Sequence, residues 1–289
     1  MNNNDILIKN LANISNKGFE AGISYGKYHY RFSFNVDVNF TKSRNTVDKL
    51  LTSDEVIPIA GFSDVHKSLI EGEEVGVIVG SRYLRNEEGQ LIIGSDGYPM
   101  MDPNPGIIGN PNPDWILNVN NKLRWKWFDL AFNFEYKHGG QIWNGTKNVM
   151  NFHGVTPQAA DSRTIYNYVY DGVSENGQPN TVAVDFANPT DNINEFRYLR
   201  YGYTGVAEDA MEDATWFRLK KIALSFTIGR NNRFPVNISG LKLGCWIENV
   251  FTITPYSGVD PQKTLFLVMP KPRDLIYLML RPPEDSVLI

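Results

Sequence analysis

The chain has 289 residues, is 42% hydrophobic and 12% aromatic, and carries a formal net charge of −4. That balance gives no reason to expect nucleic acid or a polybasic membrane-surface segment as a partner. No run approaches the ~18 apolar residues of a transmembrane helix, and Cys245 stands alone, which excludes an internal disulfide framework and a multi-cysteine metal site.

A membrane remains open, because barrel strands alternate and never produce a long apolar run. The first ten residues, MNNNDILIKN, show no basic stretch followed by an apolar one, so no export signal is expected in the sequence as written. This points to a cytoplasmic protein or a piece of a longer one.

Taken in chain order, a period of two recurs, the mark of strands with two different faces. The first candidate strand is residues 16–26, NKGFEAGISYG. The second, HYRFSFNVDVNFT, puts Tyr30, Phe32, Phe34, Val36, Val38 and Phe40 on one face and Arg31, Ser33, Asn35, Asp37 and Asn39 on the other. A tight turn at Lys27 and Tyr28 is expected between them. Residues 53–71 have the look of a short helix. The third strand, WILNVNNKLRW, collects Trp115, Leu117, Val119, Leu123 and Trp125, with Asn121 as the exception.

After a turn at Lys126, the fourth strand sets Phe128, Leu130, Phe132, Phe134 and Tyr136 against Asp129, Ala131, Asn133, Glu135 and Lys137. The fifth, TWFRLKKIALSFTI, changes parity near Lys220 and Lys221, which a β-bulge would reconcile. Residues 241–253 and 274–280 complete seven candidate strands. Short turns alternate with long connections at 41–114, 138–214 and 254–273. Long unstructured connections are uncommon in compact soluble domains. Short turns at one end and long loops at the other fit an outer-membrane barrel. Trp115, Trp125, Trp127, Tyr136 and Trp216 near the strand ends suit interfacial aromatics.

The expected fold is therefore all-β: a partial antiparallel transmembrane β-barrel with long extracellular loops. In it Arg31, Asn35, Asp37, Asp129, Asn133 and Glu135 are expected to face the lumen. The alternative is a soluble β-rich carbohydrate-binding module with Trp143 as a sugar platform.

Residues for catalysis are not evident. His29, His66, His138 and His153 lack metal-ligand spacing. GSDGYPMMDPNPG lacks the EF-hand pattern, and EGEEVGVIVG lacks the ending of a phosphate loop. Asp129 and Glu135 stand six apart on one strand, roughly 20 Å, too far for a glycosidase pair. The expectation is no enzyme and no cofactor.

Several stretches, in order from about residue 13 to 273, resemble the SusC/RagA-type TonB-linked outer-membrane proteins. NISNKGFEAGISYGKYHYRFSFNVDVNFTKSRNTV looks like their Asn-x-Gly-Phe-Glu hairpin. EGEEVGVIVG is similar to their Glu-Gly-x-Pro-x-Gly stretch, with Glu74 where Pro is common. GNPNPDWILNVNNKLRWKWFDLAFNFEYKHGGQIWNGT resembles their Gly-Asn-Pro-x-Pro-Asp-Trp run and their Gly-Gly-x-x-Tyr-Asn-Gly loop, with Trp143 for the Tyr. EDATWFRLKKIALSFTIG and WIENVFTITPYSGVDPQ resemble two further family strands.

The resemblance implies a plugged barrel of about 22 strands in a Gram-negative outer membrane, capped by a SusD-like lipoprotein. It also implies TonB-powered uptake of oligosaccharides or peptides. It covers only the C-terminal part of such a protein, with no counterpart here to the plug and signal peptide. Residues 1–281 would be barrel section and 282–289 a non-strand tail, since Pro282 and Pro283 cannot continue a ladder. A section of this kind is not expected to transport anything alone.

Overall fold

The alternating segments pair in chain order into one antiparallel sheet. The computed structural model describes residues 10–186, 197–229 and 240–262. Its principal sheet holds β1 (Ala12–Tyr28), β2 (Phe32–Leu50), β3 (Trp115–Trp125), β4 (Phe128–His138), β5 (Trp216–Gly229) and β6 (Gly240–Ile253), each bonded to the next. Among the described residues β1 pairs only with β2 and β6 only with β5, so the sheet is an open section. The expected strand at 274–280 and the tail at 282–289 lie outside the described residues.

The parity change in β5 is a bulge: the register with both β4 and β6 shifts between Leu219 and Lys221. The extra residue lets Phe217 and Ile222 share a face although their numbers differ in parity. The β3–β4 turn is Lys126–Trp127, with Trp125 opposite Phe128 and Lys126 at φ 55°. The first turn lies later than expected. Lys27 and Tyr28 are still paired, with Phe34 and Ser33, and the reversal occupies residues 29–31. Arg31 is therefore in the turn rather than on the strand face, and its carbonyl accepts the Lys126 N–H at 2.9 Å.

The connection 41–114 is structured rather than irregular. β2 continues to Leu50, ten residues past Phe40. Residues 53–71 form no helix. They hold strands Val56–Gly61 and Val65–Ile70, which join Val77–Gly80 and Gly106–Gly109 in a four-stranded sheet. Val56, Ile57, Ile59, Val65 and Ile70 are β-branched and favour this outcome. Pro58 is tolerated because Val56–Gly61 is an edge strand. The connection 138–214 contains α1 (Gly145–Phe152), α2 (Pro157–Ser162) and α3 (Arg197–Arg200). Asn144 caps α1 by accepting the Lys147 N–H, and Thr156 caps α2 by accepting the Ala159 N–H.

The hydrophobic core sits mainly in this loop layer. Val65, Ile78 and Ala207 form one cluster, with Ile108, Trp143 and Met211 against it. Val47 and Leu50 of β2 pack on Leu69 of the loop sheet in a second, with Ile57 and Val75. Tyr98, Val184 and Phe186 form a third.

Candidate functional site: a two-faced wall and its mouth

The register places like chemistry on like faces across all six strands. One face carries, row by row, Tyr25, Val36, Asn121, Phe132, Ile222 and Ile247, and above them Ile23, Val38, Val119 and Phe134. Asn121 is the single polar side chain among these. Among the described residues no core covers this face: Ile23 is 70% exposed, Tyr25 63% and Ile247 63%.

Aromatic rows bound this face at both ends. At the end nearest the loop layer Phe19, Phe40, Trp115 and Tyr136 lie in sequence across β1 to β4, with ring centroids 6.3, 5.8 and 5.2 Å apart. Phe217 stands opposite Tyr136 and lies 6.1 Å from Phe251, which carries the row onto β6. At the turn end Trp125 and Phe128 stack at 6.4 Å, and Phe226 lies 4.9 Å from Phe128. Phe32 to Phe40 is eight residues on β2. At ~3.4 Å per residue and a tilt of ~35–45°, the rows stand about 19–22 Å apart, close to the ~25 Å apolar band of an outer-membrane barrel.

Beyond the upper row the two faces of β1 and β2 exchange character. Lys42 and Arg44 continue the formerly apolar face, while Val47 and Leu50 are buried on the other. The loop sheet packs there, on the polar-face side, so it leans over the polar face of the wall.

The polar face carries several separate hydrogen-bonded groups. Asp37 accepts from Ser24 at 2.6 Å and from Asn35 at 2.8 Å. Asn133 donates to Asn120 at 2.6 Å. Asp129 takes Arg124 at 2.5 Å and Lys242 at 3.4 Å, and Glu135 takes Lys220 at 2.5 Å. Of the six residues expected in the lumen, five (Asn35, Asp37, Asp129, Asn133 and Glu135) share this face by register, and Arg31 does not. Both carboxylates once weighed as an acid pair are held by separate cations.

Beside the loop layer further polar contacts gather. Glu212 is a hub: it accepts from Lys147 Nζ at 2.9 Å and from the Ser257 N–H and Oγ, both at 2.7 Å. Its burial would raise its pKa, but these donors outweigh that and leave it below the ordinary glutamate value. Arg218 of β5, almost fully buried, binds Asp260 at 2.9 Å and Gln262 at 2.6 Å and lies over the Trp216 ring. In the loop layer a cavity of about 190 Å3 is bounded by Tyr83, Asn148, Arg197, Tyr201 and Asp209. The Tyr83 hydroxyl donates to Asp209 at 2.5 Å, and burial still raises the Asp209 carboxyl above its usual range.

The histidines are dispersed. His66 contacts Ser68 Oγ at 2.6 Å, and His138 stands 3.8 Å from Asp114. Among the described residues no three His, Cys, Asp or Glu side chains are grouped to hold a metal. Trp143 packs against the first loop cluster and meets Phe62 edge-on at 6.1 Å, so it does not present the open platform a sugar-binding module needs. Sequence reading missed Arg218, Glu212 and the Tyr83–Asp209 pair. Their partners lie more than forty residues away, beyond the reach of any local pattern.

No protein-family profile matches the chain. It is 25% identical over 280 residues to TonB-dependent receptor P3 of Formosa agariphila, covering 88% of this chain and 26% of the receptor. In structure it superposes on the RagAB peptide transporter with a TM-score of 0.56 at 16% identity, covering 88% of this chain and 27% of that one. The chain matches a section of a TonB-dependent receptor. A second RagAB structure, the peptide importer in its open-open state, agrees with a TM-score of 0.54 at 14% identity, covering 86% of this chain and 26% of that one. The chain thus spans about a quarter of the length of the proteins it matches. Those proteins are a receptor and a transporter, not enzymes.

Proposed function

We propose that this chain forms part of the wall of an outer-membrane nutrient importer. It would contribute at least six strands to a plugged barrel that takes up oligosaccharides or peptides. A SusD-like surface lipoprotein would cap the barrel, and the TonB complex would act through other parts of the protein. The observation that carries this reading is the apolar face, uncovered among the described residues, bounded by two aromatic rows at membrane spacing and backed by a polar face. A soluble binding module would bury that face against a second sheet.

The short turns at 29–31 and 126–127 would be periplasmic, and the loop layer extracellular. Asn35, Asp37, Asp129, Asn133 and Glu135 would line the lumen or meet the plug, while Phe32, Phe132 and Phe134 meet lipid. Single cysteines at these positions in the full-length protein test the assignment with a membrane-impermeant maleimide. Labelling is expected at the polar positions and not at the phenylalanines. The reverse pattern would overturn the reading.

A further inference from the structure

The loop layer holds a cavity of about 190 Å3 between α1, α3 and the 3-10 turn Ala207–Ala210. Sites for whole small molecules usually span about 300–1,000 Å3, so this one suits a group of a few heavy atoms rather than a sugar ring. Its walls are fixed by the fold. Asn148 of α1 donates to the Thr204 and Val206 carbonyls at 2.8 and 3.2 Å, which ties down the chain leading into the turn. Tyr83 and Tyr201 meet edge-on at 5.7 Å, and the Tyr201 hydroxyl donates to the Pro99 carbonyl at 2.6 Å.

Two side chains of the lining carry opposite charges, and neither has an ion pair among the described residues. The Arg197 guanidinium lies over the Tyr170, Phe186 and Tyr198 rings, 5.8, 5.1 and 5.5 Å from their centroids. The rings hold the planar fork by its faces and leave its N–H groups unmatched. Among the described residues Arg197 makes no hydrogen bond, yet its nitrogens are not sealed from solvent. Asp209 stands in the same lining. Its Oδ2 accepts from the Tyr83 hydroxyl at 2.5 Å, which fixes the carboxylate, while Oδ1 accepts nothing among the described residues. Asp209 is exposed, so that oxygen is open to a ligand. Lys147, the third charged residue of the lining, is committed to Glu212 at 2.9 Å, and Arg200 beside it on α3 is committed to Asp96.

We infer that this cavity binds the head group of an α-amino acid, an ammonium and a carboxylate borne on one carbon. The carboxylate accepts from the Arg197 fork in the bidentate geometry that a guanidinium favours, and the ammonium donates to Asp209 Oδ1. A lone anion would bring its charge up to Asp209, and a lone cation would bring its charge up to Arg197, so the site discriminates against both. The ring stack holds Arg197 and the Tyr83 hydroxyl holds Asp209, so little side-chain freedom is lost on binding. The inference rests on the importer reading, which puts the loop layer on the outer side, where an arriving solute first meets the protein.

The test is saturation-transfer NMR on the complete membrane-inserted receptor with three solutes of similar size: alanine, lactate, which lacks the ammonium, and alaninamide, which lacks the carboxylate. Alanine is expected to saturate at a concentration at least tenfold lower than either of the others. Arg197→Gln should abolish the alanine signal. Asp209→Asn should weaken alanine at least tenfold and strengthen lactate, because the repelling charge is gone. Both variants should keep the heat-modifiable barrel band, and the comparison of the three solutes on the unaltered receptor tests the site without any substitution. No saturable signal with alanine, lactate binding as tightly as alanine, or Asp209→Asn weakening lactate along with alanine would each overturn the inference. The cysteine-labelling pattern uses no ligand, so it can stand when this site fails.

Discussion

Phe132→Arg is the sharpest probe of the membrane assignment. Phe132 lies four residues from Phe128 in one aromatic row and four from Tyr136 in the other, at the middle of the apolar face. An arginine on the lipid side of a barrel costs about 2–4 kcal/mol at the bilayer midplane and about 0–1 near its interfaces. Phe132→Arg should therefore lower the folding equilibrium roughly 30- to 700-fold, and Tyr136→Arg by less than about fivefold. Asn133→Arg is next to Phe132 but on the other face, and loses chiefly the 2.6 Å bond to Asn120, about 1 kcal/mol. The assay is guanidinium unfolding of the full-length receptor from phospholipid vesicles, followed by tryptophan fluorescence and heat-modifiability. The expected order of cost is Phe132, then Asn133 and Tyr136. A Phe132→Arg cost no greater than that of Tyr136→Arg, or an Asn133→Arg cost exceeding both, would refute the depth and facing of β4.

Asn121 stands in the same midplane row without a side-chain hydrogen bond among the described residues, so Asn121→Val should stabilise the membrane-inserted protein by about 1–3 kcal/mol in the same unfolding assay. Cys245 lies opposite Leu224 on the apolar face; in native membranes it should resist a charged maleimide until denaturant is added, and rapid labelling beforehand would contradict its placement. The Glu212 latch should depend on pH: its lowered folded pKa means its stabilisation is complete above the ordinary value of 4.5 and drains away as pH falls through the folded value. The protection factor of the Ser257 amide against hydrogen exchange should therefore fall in acid, and Glu212→Gln should flatten that dependence. Expressed alone, these 289 residues should aggregate in the cytoplasm, because two edges unpaired among the described residues and a broad apolar face template association; a monodisperse soluble monomer with cooperative unfolding would speak for a different fold.

The wall was legible in the sequence because its signal is local. Alternation alone located β3 and β4 to within two residues, and the parity change at Lys220 revealed the bulge. What escaped notice had no local signal. In residues 42–50 the apolar positions Val47 and Leu50 sit among charges, and they are apolar on the face that had been polar, so the strand seemed to stop at Phe40. In residues 53–71 the spacing of apolar residues fits either period, and only the β-branched content and the pairing with Val77–Gly80 decide for strands. Arg31 lies in the turn and not on the strand face, and alternation does not reveal this, because a turn shifted by a few residues leaves periodicity intact on both sides of it.

The exchange of faces along β2 bears on how accurately this strand can be threaded. Pairing errors in sheets come cheaply in steps of two, since a two-residue slide keeps inside and outside unchanged and restores the hydrogen-bond alternation. In β2 that slide meets opposition at both ends. It would carry Phe40 off its aromatic row and at the same time lift Val47 and Leu50 off Leu69. If the apolar face meets lipid as proposed, one penalty is exacted by the bilayer and the other by protein packing, and no single displacement relieves both. The strand is thereby calibrated against two independent rulers, and its proofreading does not depend on the tightness of the turn that precedes it.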